Sequence, residues 1–321
     1  MIKKYFYLIL IGLIFFGCNT TNKNIPAIGF ADAFEDNTIE QAKTGFLDAL
    51  KKNGFSEEQK TLNVIYRNAQ GNIPTLTQIV KYFIAQKVAL IATNPSLSTI
   101  TATQNTKTIP VFMMVSPTPA LMKVTDDKGN APANLFGVSE ELSYIDTSFS
   151  LIPKLVKPKT NQLNVGMIYN QSEPQSVEAL NRIKSLSAQL NINLVSLPVN
   201  SSADVQLVTQ SLLTKNIDAF FANPDNTVFA SFETIIKSCN NAKVPVFTSE
   251  AGLVARGAVA AYGADMYQWG YQSGEQAAQL LKTNSTANIH WEMVKIRKKV
   301  FNEKVAQQYN ITVPQGFEAI K

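Results

Sequence analysis

Two stretches of the chain carry the same run of apolar and polar positions. Residues 77–95 read TQIVKYFIAQKVALIATNP and residues 206–224 read QLVTQSLLTKNIDAFFANP. Superposed without a gap, Ile79, Phe83, Ile84 and Val88 fall on Val208, Leu212, Leu213 and Ile217, and both copies end in Asn-Pro. Apolar positions three and four apart predict a helix, and the unbroken apolar runs 89–93 and 219–222 predict short buried strands. Each copy therefore reads as helix, turn, buried strand and polar tip. Asn-Pro is expected to open a new helix, with Asn at or near its N-cap and Pro in its first turn. Such tips lie at the carboxyl edge of a parallel sheet, where open α/β sheets bind ligands. Two copies predict two sheets whose binding edges face one another.

The rest of the pattern fits this plan. In the first half, strands at 25–31, 62–66 and 111–115 alternate with helices, the first with Ile39, Ala42, Phe46 and Ala49 on one face. In the second half, strands at 163–169, 194–198 and 246–248 alternate with helices in the same way, and Pro245-Val246-Phe247 repeats Pro110-Val111-Phe112. One helix is expected to carry Val228, Phe232 and Ile235. This alternation predicts right-handed crossovers and parallel sheets. The fold class is α/β, two doubly wound parallel-sheet lobes joined by a multi-strand hinge. Apolar passages at 135–139 and 259–263 are expected to cross between lobes, which makes each lobe discontinuous: 25–137 with 262–285, and 138–261 with 286–321. Closure about such passages is a hinge motion.

A chain of 321 residues is long enough for two cores of this kind. Its start differs from its body. Lys3 and Lys4 lead into the apolar run 5–16, then Gly17 and Cys18, the pattern of an export signal. Leu13-Ile14-Phe15-Phe16-Gly17-Cys18 resembles a bacterial lipoprotein signal. The resemblance implies a leader over 1–17, lipid on Cys18 and a flexible tether over 18–24, holding the protein at a membrane surface without spanning it. An ordinary secretory signal is the plainer alternative. Loss of Lys3 and Lys4 takes the formal charge from +5 to about +3, mild for a nucleic-acid binder, and none is expected as a partner. The basic run 295–299 reads as a solvated face. The only other cysteine, Cys239, reads as a small buried hydrophobe. A single histidine, His290, far from any tip, offers neither a general base nor a metal site by itself, and no phosphate loop or nucleophile elbow is present. No enzyme, cofactor or metal is expected.

The strings Asn68-Ala69-Gln70-Gly71, Ile109-Pro110-Val111-Phe112, Asp225-Asn226-Thr227-Val228, Val244-Pro245-Val246-Phe247, Arg256-Gly257-Ala258 and Gly270-Tyr271-Gln272-Ser273-Gly274 occur in this order. With the leader and the two lobes, they resemble the TrpX-like ABC-type substrate-binding lipoproteins, solute receptors of the type I periplasmic-binding-protein fold. The resemblance implies a monomer that captures a small solute between its lobes and hands it to an ABC permease and its ATPase, with no chemistry on the ligand. It places the protein in the bacterial cell envelope, on the periplasmic or extracellular face.

The strand tips supply the candidate ligand residues: Phe34, Asn94, Ser96, Ser116, Tyr169, Asn170, Asn223, Asp225, Asn226, Glu250 and Asp265. The tips hold hydroxyls, amides and carboxylates but neither Lys nor Arg. A cleft of that kind suits a cationic or zwitterionic solute, whose amine Asp225, Asp265 or Glu250 would hold and whose carboxylate would meet the helix start at Ser96. Phe34 and Tyr169 would stack on an apolar body. An amino acid fits, an aromatic one of tryptophan or phenylalanine type included. Each polar candidate has a plainer role, because Asn94, Ser96, Asp225, Asn226 and Asp265 all stand where helices need caps. A receptor or sensory module for another small polar solute, a sugar or nucleoside, stands as the alternative.

Overall fold

The structure is a computed structural model that describes residues 25–313 and 315–320; the expected leader and tether, with Cys18, lie outside the described residues. The first half runs β1 (Ala27–Asp32), α1 (Asn37–Lys52), β2 (Asn63–Asn68), α2 (Ile73–Ala85), β3 (Leu90–Asn94), α3 (Ser96–Asn105), β4 (Val111–Met113) and β5 (Leu135–Ser139). After α4 (Tyr144–Phe149) and α5 (Ile152–Leu155), the second half begins with β6 (Leu163–Asn170), α6 (Pro174–Gln189), β7 (Ile192–Val199) and α7 (Ser202–Leu213). It continues through β8 (Ala219–Ala222), α8 (Asn226–Ala230), α9 (Phe232–Asn241), β9 (Val246–Thr248), α10 (Ala251–Ala255) and β10 (Ala260–Ala264). The chain closes with α11 (Met266–Thr283), β11 (Glu292–Met293), β12 (Arg297–Asn302), α12 (Glu303–Gln308) and β13 (Glu318–Ile320).

The sequence duplication is a duplication of topology. One sheet has parallel strands in the order β2-β1-β3-β4, extended by β5 and β11; the other has the order β7-β6-β8-β9, also parallel. The repeated strands β3 and β8 are buried at every residue, which is why both read as unbroken apolar runs. Beside β9, where Val259 N donates to Val246 O at 2.7 Å, a three-stranded sheet follows in the order β10-β12-β13, with β10 antiparallel to β12 and β12 parallel to β13.

The passages between lobes run longer than the pattern predicts. β5 stays in the first sheet to Ser139, past the expected boundary at 137, and β10 stays beside β9, through Val259 N on Val246 O and Ala264 N on Ser249 O, to Ala264, past 262. β11 pairs with β5, so part of the segment expected in the second lobe belongs to the first sheet. Its two residues, Glu292 and Met293, are too few to show an alternation. The chain thus crosses between sheets three times, after Ser139, after Ala264 and before Arg297.

Local chemistry explains the helix starts. Asp36 caps α1, its Oδ1 accepting from Thr38 N and Ile39 N at 2.9 Å each, and Ile39, Ala42, Phe46 and Ala49 are buried as their spacing requires. α11 lies so close on α1 that a Cβ at Gly270 would stand 1.8 Å from Ala42 O. The Asn-Pro tips differ from expectation. α3 begins at Ser96 and α8 at Asn226 with Asp225 as its cap, so both prolines precede their helices and Asn94 and Asn223 cap neither. The single helix expected after the second tip breaks at Ser231 into α8 and α9.

Candidate functional site

The ends of β3, β4, β8 and β9 meet around a narrow cavity between the lobes. The first lobe contributes Ser96, Val115, Ser116, Met266 and Trp269, the second Tyr144, Asp225, Asn226, Phe229 and Glu250, and the passage after β5 Glu140 and Leu142. The lobes are closed over it. Asn226 Nδ2 donates to Ser96 Oγ at 3.3 Å, and Arg256 Nη1 donates across the seam to Asp36 Oδ2 at 2.6 Å and Thr38 Oγ1 at 2.9 Å.

Glu250 is the distinctive group. It follows β9 directly and is 0 % exposed. Its Oε1 accepts from Tyr144 OH at 2.7 Å and Ser249 Oγ at 3.2 Å, whereas its Oε2 has no hydrogen-bond partner among the described residues. Burial pushes its pKa up to about 7 against the pull of those two donors, with a smaller upward push from the charge of Glu140. Across the same cavity, the buried Nε1 of Trp269 also lacks a partner among the described residues. Two cavity-lining residues therefore each carry an unmatched polar atom, one carboxylate oxygen and one N–H donor, and an unmatched buried polar atom costs about 1–3 kcal/mol until something meets it.

The other carboxylates are engaged. Asp225 accepts from Val228 N at one oxygen and from Asn170 N and Ser176 Oγ at the other, so it pins the tip of β6 to that of β8. Glu173, which the sequence reading did not select, gathers Asn170, Gln175, Asn226 and Thr227 on its two oxygens. Burial, and then the negative charge of Asp225, raise its pKa. The hinge passages are tied by ion pairs. Glu140 receives the Arg297 guanidinium at both oxygens, and Asp265 pairs with Lys298 at 2.9 Å. The basic run 295–299 is thus only partly a solvated face, and the guanidinium groups that the tips lack stand nearby, Arg297 on Glu140 and Arg256 at the seam between the lobes.

Of the candidate residues, Ser96, Ser116, Asp225, Asn226 and Glu250 come together at the cavity. Asn170 and Asn223 stand behind its wall, Asn170 on Glu173 and Thr227, Asn223 on Ser176. Asn94 and Phe34 line a separate recess beside Asp32 and Tyr66. Tyr169 packs on the second-lobe core, and Asp265 caps α11 in the hinge, outside the cavity. Tyr144, Trp269 and Glu140 were missed. Trp269 sits on an apolar helix face that reads as core, and the only signal for Glu140 is its place directly after a lobe-crossing strand.

The family model for the ABC transporter substrate binding protein matches residues 27–319. A curated relative, the tyrosine-binding protein of Clostridioides difficile, is 30% identical over 270 residues, 84% of this chain and 76% of its own length. Among solved structures, a conserved domain protein from Vibrio cholerae superposes with a TM-score of 0.82 at 28% identity, over 92% of this chain and 100% of that one. A ligand-free, open substrate-binding protein with adhesive properties from Clostridium difficile gives 0.67 at 26%, over 92% and 99%. The fold is also that of a Streptococcus pneumoniae protein in complex with L-Trp, with a TM-score of 0.80 at 23% identity over 90% and 96%. The chain, two parallel-sheet lobes of the type I periplasmic-binding-protein fold closed on a cavity, belongs to the ABC transporter substrate-binding protein family.

Proposed function

We propose that this protein captures a zwitterionic amino acid with an aromatic side chain, as the receptor of an ABC importer. The observation that carries the reading is the unmatched pair in the cavity, Glu250 Oε2 and Trp269 Nε1. An ammonium group meets the first through a charge-assisted hydrogen bond, and a carboxylate meets the second together with the hydroxyls of Ser96 and Ser116 and the first-turn N–H groups of α3. Val115, Leu142, Phe229 and Met266 give the rest of the wall an apolar character that suits a ring. The names of two relatives, a tyrosine-binding protein and a complex with L-Trp, support the same solute class. The two sheets act as lobes that close about the three hinge passages, and the ligand leaves unchanged for a permease and its ATPase. Lipid on Cys18 holds the monomer at the outer face of a membrane, with the following residues as tether.

A thermal-shift screen of the chain from residue 19 onward tests this. Tyrosine, tryptophan or phenylalanine is expected to raise the melting temperature by mass action, and sugars and nucleosides to leave it unchanged. Glu250→Gln keeps an acceptor for Tyr144 but loses the charge, and is expected to weaken binding more than about tenfold in calorimetry. A shift with a sugar or nucleoside alone would replace the amino-acid reading.

A further inference from the structure

We infer that Arg256 is a latch, a positioning residue that holds the lobes shut on the bound solute and so sets its rate of release. The inference rests on capture by closure as proposed above. Arg256 lies just after α10 in the second lobe, its side chain 14% exposed. Its five hydrogen bonds divide between the lobes. Within its own lobe, Nε and Nη2 donate to the two oxygens of Glu233 at 2.8 and 2.9 Å, a fork-to-fork pairing that fixes the guanidinium plane, and Nη2 also reaches Phe229 O at 3.1 Å. The remaining edge, Nη1, points out of the lobe to Asp36 and Thr38 at the start of α1.

Asp36 is built to receive it. Its Oδ1 satisfies the two N–H groups of the α1 cap, which leaves Oδ2 for the guanidinium, and the carboxylate side chain is 1% exposed in the closed form. When the lobes part, the arm stays oriented by Glu233 and Phe229, so closing again orders little that was mobile. The contact with Asp36 exists only in the closed state, and a contact of that kind shifts the population toward closure. It also sits in line with the solute. Glu250 immediately precedes α10 and Arg256 immediately follows it, so one short helix carries the proposed ammonium acceptor at one end and the latch at the other. The carbonyl of Phe229, a cavity-wall residue, hangs from the same guanidinium. Arg256 does not itself line the cavity, so it acts on how long the lobes stay shut and leaves recognition to the cavity.

Asp36→Asn is the decisive variant, because Asn caps helices as well as Asp does and keeps Oδ1 for α1, while it sets an amide N–H₂ against the guanidinium. Stopped-flow binding of L-tyrosine and L-tryptophan is expected to show dissociation faster by about ten- to thirtyfold, association within about threefold of the wild type, and an unchanged melting temperature without solute. Arg256→Gln is expected to match it, and the double variant to be no worse than either single one. A fluorescence-transfer pair placed one label on each lobe reads closure directly and without solute, and Asp36→Asn is expected to shift it toward the open form. Unchanged dissociation together with unchanged transfer overturns the latch. If the wild type binds neither amino acid, the solute reading fails while the transfer measurement still decides the latch.

Discussion

At the level of single residues, the two acidic candidates Glu250 and Asp265 separate by what already surrounds them. Asp265 accepts from Gln268 N, pairs with Lys298 and lies in the hinge, so Asp265→Ala removes a cap and an ion pair without touching the cavity. Its expected effect is about 1 kcal/mol of stability, seen as a lower melting temperature, with the solute dissociation constant within about threefold of the wild type. Calorimetry that showed a tenfold weakening would return Asp265 to the binding set. The sequence places both residues at strand ends in front of helices and there makes them equivalent. What distinguishes them is the charged partner: Asp265 Oδ2 stands 2.9 Å from the Lys298 ammonium, whereas among the described residues no cation pairs with Glu250, and of the groups around the two, Tyr144, Ser249 and Lys298, two of the three are neighbours only in space. Trp269 was illegible for the opposite reason: the apolar spacing that makes it read as core gives no sign that it lines the cavity with its one polar atom unmatched among the described residues.

The elements were legible wherever a period repeats. The copies around β3 and β8 announce themselves through spacing, whereas two-residue β11 and the break at Ser231 carry no pattern and were missed. One short element carries a consequence for closure. α10 of the second lobe packs on the start of α1 in the first, and a Cβ at Gly252 would stand 2.3 Å from Thr38 Cγ2. That conflict exists only when the lobes are shut. Within its own lobe, Gly252→Ala favours the helix, by up to about 1 kcal/mol. The variant is therefore expected to melt no lower than the wild type without solute, yet to bind about tenfold more weakly. Adding Thr38→Ser removes the offending methyl and keeps the hydroxyl that Arg256 uses, so the pair of changes is expected to recover most of the affinity. Weak binding that persists in the double variant would mean that Gly252 acts within its own lobe and not at the seam.

Over the whole molecule, folding buries acids that water would otherwise ionise. Burial raises Glu250 from an ordinary 4.5 to about 7 and Asp32 from 3.8 to about 6, and it raises Glu173 and Asp225 in the same direction. Each group holds its proton more firmly in the folded chain than in the unfolded one. The stability that this supplies is complete below the unfolded values and is lost as pH rises through the folded ones. The unliganded protein is accordingly expected to melt at a higher temperature at pH 5 than at pH 8. Solute binding runs the other way, because an ammonium needs Glu250 ionised. Affinity is expected to climb by up to about tenfold per unit from pH 5 until it levels off near pH 7. In Glu250→Gln that slope disappears while the weaker binding remains, which separates the titration of Glu250 from that of Asp32 and Glu173. A wild-type affinity that rose toward acid pH would show that the cavity prefers a protonated Glu250, a hydrogen-bond donor, and so a neutral or anionic group in place of the amine.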